Sequence, residues 1–267
     1  MKTQYLIFLS FALLFSNCTN REPGTTFEWD FSSPKKFIYS YSQIIHGENQ
    51  FEKNSPLDKV DMTSNGFLNI TVKENQLADL SLTDMEVHMQ TYDHDGTPNT
   101  PIDQKAPSTV IQEMNSKGKF KVESSDIIFD ILFPLPPNDL KEGESCEIPL
   151  SMPFNANGSI LSVKGQHVLS FVGYEELNGY DCAVLEGELE ISEIDKPSEL
   201  IGKYENNTTA ISKYYFSLEY GHYVGADVKL TINALMDNTG DENAIFNFYM
   251  NSTSENIFEI RLLEIED

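Results

Sequence analysis

The sequence predicts a mainly β protein: a strongly curved antiparallel sheet or half-barrel with one or two helices packed on its concave face, with a two-sheet β-sandwich as the alternative. Three observations carry this expectation. From Tyr223 to Leu235 apolar and polar residues alternate, with Val224, Ala226, Val228, Leu230, Ile232 and Ala234 on one parity and Asp227, Lys229, Thr231 and Asn233 on the other; this is the period of a half-buried strand. Leu177-Asn178-Gly179-Tyr180 holds the Asn-Gly pair of a two-residue type I′ hairpin turn, in which both central residues need positive φ. Segments with helical spacing are few and short.

In chain order, Gly24, Ser32, Ser33 and Pro34 punctuate a tether and first turn, with Trp29, the single tryptophan, at the domain edge. Phe37, Tyr39 and Tyr41 alternate as in a strand, and 67–73 and 77–92 read as two more. Leu80 and Leu82 oppose the parity of Met85, Val87 and Met89, so a bulge near Thr83-Asp84 is needed to keep one apolar face. Gly96, Pro98, Pro101 and Pro107 mark a loop. Residues 108–116 and 124–132 are the helix candidates, with Ser108 and Ser124 or Ser125 as N-caps, and Pro134, Pro136 and Pro137 end the second. The Asn178-Gly179 turn pairs positions so that Val172 faces Leu185, Val168 faces Leu189 and His167 faces Glu190, while Glu186, Glu188 and Glu190 line the wet side. A second hairpin turns at Tyr220-Gly221-His222. A last one joins Phe246–Met250 to Phe258–Leu262 across the polar stretch 251–256.

Charge excludes some partners. Eighteen basic against 42 acidic residues give a net charge of −24, which repels nucleic acid and anionic lipid, yet 40% hydrophobic and 11% aromatic residues suffice for a folded core. The acidity concentrates in 131–267, net −17, against −7 in 1–130. Lys2 and the short apolar run from Tyr5 to Phe15 have the anatomy of an export signal, and the run is shorter than the ~20 residues of a spanning helix.

No residue pattern announces catalysis. The histidines at 46, 88, 94, 167 and 222 form no HExxH pair, no serine sits in a G-x-S-x-G elbow, and no glycine-rich loop cradles phosphate, so neither catalytic residues nor a cofactor are assigned. Asp93-His94-Asp95-Gly96 and Asp237-Asn238-Thr239-Gly240-Asp241 have some of the acids of a calcium loop without its spacing and read as turns. Glu186, Glu188 and Glu190 stand ~7 Å apart along a strand, too far for one ion. No metal site is expected. Cys146 and Cys182 either pair as a disulfide in an oxidising compartment or stand as two separate thiols.

Phe15-Ser16-Asn17-Cys18 resembles a bacterial lipobox, which implies a signal peptide over 1–17 and a lipidated Cys18; a tether then runs to residue 35, and the strand pattern makes 36–267 one β-rich domain. Ordinary secretion with cleavage near Cys18 is the other reading. Leu132-Phe133-Pro134-Leu135-Pro136-Pro137, Leu140–Ser145, and then Gly173-Tyr174, Gly179 and Cys182 are similar to a pattern in uncharacterised β-rich bacterial lipoproteins. These in turn resemble in outline the lipoprotein-carrier (LolA/LolB-like) fold. The resemblance implies a non-enzymatic protein held at the cell envelope, on the outer membrane, through an N-terminal lipid anchor. That fold suggests a concave apolar pocket for a lipid or acyl chain, and the apolar parity of the strand from Tyr223 to Leu235 puts Val224, Val228, Leu230 and Ile232 on that face. The alternative is a surface-exposed structural module that meets a protein or glycan.

Overall fold

In the computed structural model, residues 24–121, 127–156, 159–195, 202–240 and 248–267 are described; the predicted signal peptide and Cys18 lie outside them. The elements are β1 (Lys35–Gln50), β2 (Asp58–Val72), β3 (Ala78–Tyr92), β4 (Ile102–Lys105), β5 (Thr109–Met114), α1 (Ile127–Leu132), β6 (Ser145–Ala156), β7 (Ser159–Leu177), β8 (Tyr180–Asp195), β9 (Lys203–Ser217), β10 (His222–Asp237) and β11 (Tyr249–Glu266). All strands join one antiparallel sheet in the order β4-β3-β2-β1-β11-β10-β9-β8-β7-β6, with β5 sharing the edge of β3 with β4. The sheet is not closed. A twisted sheet of more than ~10 strands curls, and here the curl gathers its inner face around one core. The inner row Tyr41, Ile260, Ala226, Tyr214, Leu185 and Phe171 crosses six strands in register, and every member is buried.

Two segments outside the sheet fill this concavity. Residues 24–33 run along it with Phe27, Trp29 and Phe31 buried. Thr25 exchanges both backbone hydrogen bonds with Leu140 (2.7 and 3.0 Å), the Trp29 N–H donates to the Ser116 carbonyl (2.9 Å) and that of Asp30 to Gly221 (2.6 Å). The second plug is α1 with the proline-rich chain after it, where Phe129, Ile131, Leu132 and Phe133 are buried. A helix this short leaves its last carbonyls without intrahelical partners; a buried tyrosine of the sheet supplies one for Ile131, and a second bonds the chain just beyond the helix. The Tyr214 hydroxyl donates to the Ile131 carbonyl, and that of Tyr223 to Pro134.

Several sequence-based expectations are met. Asn178 and Gly179 have φ of 53° and 82°. The register of β2 on β3 shifts between Asn65 and Phe67, Asp84 has φ 52°, and Leu80 and Leu82 share the inner face with Val87 and Met89. Gly66 lies against this bulge, where a Cβ would come within 2.8 Å of the Thr83 carbonyl and 3.1 Å of the Met85 Cα. Gly66→Ala is therefore expected to cost about 1–3 kcal/mol in urea denaturation, because backbone must shift to admit the methyl; an unchanged midpoint would count against this packing.

Others are corrected. Residues 109–114 form the edge strand β5, not a helix, because Thr109, Val110 and Ile111 are β-branched and the free edge of β3 offers pairing. β11 runs unbroken through the polar stretch 251–256, where Asn49↔Ser252 and Asn233↔Thr253 pair polar with polar, so there is no turn there. Phe246 lies outside the described residues. A bulge at Val172-Gly173 shifts β7 on β8, so that Phe171 faces Leu185, His167 faces Leu189 and Gln166 faces Glu190. Val172 is consequently exposed, and no His167–Glu190 pair exists; Tyr174 keeps its expected partner Ala183 and packs edge-on against Phe171, yet stands largely exposed. Trp29 lies in the core, not at the domain edge, with the rings of Phe37, Phe133 and Tyr223 packed tilted or edge-on against it at 5.5–5.8 Å.

Candidate apolar site

The plugs do not fill the concavity everywhere. Between α1 and the inner faces of β1, β2, β3 and β5 a cavity of about 220 Å³ remains, walled by Tyr41, Leu68, Leu80, Leu82, Ile111, Phe129 and Leu132, with Ser81 and Thr109 at its rim. Ile128, 42% exposed, stands at the mouth. Each wall has a local cause. The bulge at Asp84 keeps Leu80 and Leu82 facing inward, β5 brings Ile111 opposite Leu80, and the bond from Tyr214 to Ile131 ties α1 to the sheet beside the cavity. An engineered apolar cavity of ~150 Å³ takes up benzene, whereas sites for drug-sized ligands span ~300–1,000 Å³. This one suits a single small apolar group or the end of an acyl chain. Its chemistry is burial of apolar surface at about 25 cal/mol per Å².

The ligand-binding residues expected from the sequence are elsewhere. Val224, Val228 and Leu230 are buried in the core and Ile232 is half-buried against it, all on β10 and none at the cavity. The missed residues carried weak signals: the predicted helix near 124–132 and the bulge that turned Leu80 and Leu82 inward.

Cys146 and Cys182 are both free thiols. Cys146 opposes Leu169 on β7 and Cys182 opposes Glu175, six residues further along that strand, or roughly 20 Å at the rise of a strand. The structure thus selects the two separate thiols. Burial pushes the Cys182 thiol up to about 11 and raises Cys146, so neither is a ready thiolate nucleophile. Glu186, Glu188 and Glu190 are exposed on β8. At the two acidic loops, Asp95 accepts from the Thr97 N–H and Asp237 from the Thr239 N–H, as Asx turns do. His46 and His88 lie on the outer face, each 2.7 Å from a carboxylate, Asp61 and Asp103. Hydrogen bonds from Tyr92, then His46, hold the Asp61 carboxyl below the usual range. Among the described residues no group of three or more His, Cys, Asp or Glu is placed to hold a metal ion, and no helix is long and apolar enough to cross a membrane.

Neither a protein-family model nor a curated protein matches this sequence. Among solved structures, the fold is similar to one described as "lipid-protein interactions in lipovitellin", with a TM-score of 0.45 and 11% identity over 89% of this chain. The match spans 26% of that chain.

Proposed function

We propose that this is a non-enzymatic envelope protein, anchored through lipidated Cys18, that shelters a small apolar group such as the end of an acyl chain. The half-open cavity beside α1 carries this reading, since it pairs an apolar lining with a mouth. Much of the concave face is occupied by Phe27, Trp29, Phe31 and Phe133, which limits the ligand to a short insert and argues against engulfing a whole lipid.

Native mass spectrometry of the chain begun at Thr19, with added dodecanoate as probe, is the test. One bound molecule is expected. Leu82→Trp, which fills the cavity, and Ile128→Asp, which charges the exposed mouth, are each expected to weaken binding by at least about tenfold. No uptake by the native protein, or equal uptake by both folded variants, overturns the reading and turns attention to the outer face as an interaction module.

A further inference from the structure

On the opposite face of the sheet a groove of about 480 Å³ crosses β8, β9, β10 and β11. Ile211 and Ile257 stand in it, 64% and 37% exposed, on either side of Lys229, to which both are register partners. Ile44, 37% exposed, extends the row as the partner of Ile257 on β1. Isoleucines presented to water on a sheet face otherwise rich in charge contribute nothing to the core.

The charge beside them is one-sided. Each cation at the groove already has an acid: Lys213 holds Glu175 (2.8 Å), Lys229 holds Glu255 (2.7 Å), and Arg261, behind Asp227, holds it at 2.6 Å. Glu186 and Glu188 line the same groove and make no ion pair among the described residues. A chain of net charge −24 repels a second copy of itself, nucleic acid and anionic bilayers. The complementary occupant is therefore a basic polypeptide.

Spacing selects its conformation. Strands lie ~4.8 Å apart, so Ile211 and Ile257, two strands apart, are separated by roughly 10 Å, and Ile44 follows about 5 Å on. An extended peptide presents side chains on one face every ~7 Å and matches neither interval. A helix rising 1.5 Å per residue places i and i+7 about 10.5 Å apart and i+11 about 6 Å further. We propose that this groove docks a basic amphipathic helix of a partner protein, its apolar side chains at i, i+7 and i+11 seated against Ile211, Ile257 and Ile44 and its lysines or arginines against Glu186 and Glu188.

The test is fluorescence anisotropy of the full-length protein with two labelled synthetic peptides of about 18 residues, long enough to form a helix. One carries leucines at i, i+7 and i+11 flanked by lysines; the other has the same composition with the leucines moved off that face. The first should bind at least about tenfold more tightly. The double variant Ile211→Ser/Ile257→Ser, at exposed positions that leave the core intact, should erase that preference, and Glu186→Lys/Glu188→Lys should weaken binding and flatten its salt dependence. Equal binding of the two peptides, an unaffected isoleucine variant, or no binding of either overturns the proposal.

Discussion

A chain shortened to begin at Lys35 will fail to reach the native state, and Trp29→Ala in the intact protein will cost about 3–5 kcal/mol. The sequence places residues up to 35 in a tether, but the structure makes 24–33 an inner layer of the sheet. Trp29 is 1% exposed and its ring meets Phe31, Phe37, Phe133 and Tyr223. Phe27 meets Phe171 and Phe216, both at 5.5 Å. Removing the segment would open the concavity from β1 across to β7 and would strip Leu140 of its two backbone bonds. Trp29 is the sole tryptophan, so its emission reports on this contact alone in the native chain. Circular dichroism during urea denaturation measures the losses; a shortened chain with the native midpoint would show that 24–33 only lines a core that stands without it.

What could be read in advance follows from the range of the interaction that decides each element. The β10 alternation, the Asn178-Gly179 turn and the bulge near Asp84 are encoded within a few residues, by side-chain period, tolerance of positive φ and parity, and each is seen. The bulge at Val172-Gly173 escaped because register counted outward from a two-residue turn assumes an unbroken ladder. Gly173, with φ 140°, takes a conformation that other residues rarely adopt. Thr109–Met114 is a short apolar run whose period does not separate helix from strand; the unpaired edge of β3, distant in sequence, decides it. The site was hardest for the same reason. The inner faces of β1–β3 and of β10 are alike in composition, and only the seat of α1, set by Tyr214 and Tyr223 far along the chain, determines which is buried solid and which keeps a cavity.

Acid will destabilise this protein well above the pH at which its carboxylates titrate, and His167 will account for much of the loss. The β7 bulge turns His167 inward, opposite Leu189 and Ile148, where it is 1% exposed and neither ring nitrogen has a hydrogen-bond partner. Gly187 leaves room for the ring, since a Cβ there would collide with its Nε2 and with Ser212. Burial alone lowers the imidazole to about 4, from the ordinary 6.5. Above pH 6.5 both folded and unfolded chains hold it neutral. Between 6.5 and 4 the unfolded chain takes up a proton that the native one refuses, so stability falls as pH falls; below about 4 both are protonated and the slope ends. At 1.36 kcal/mol per unit the full effect is on the order of 3 kcal/mol. His222 is lowered in the same sense, chiefly by burial, and adds to the slope. Asp30 and Asp237, held down to about 2 mainly by Lys35 and Lys53, act only below pH 3.8. Urea midpoints at pH 7.5 and 4.5 separate these groups. Replacing the ring in His167→Leu should leave stability at pH 7.5 equal or higher, because it removes two buried polar atoms without partners, and should recover about 2–3 kcal/mol of the difference between the two pH values. If the variant and the native protein lose the same stability on acidification, the buried imidazole is not the cause, and the acid sensitivity must be sought at His222 and the carboxylates.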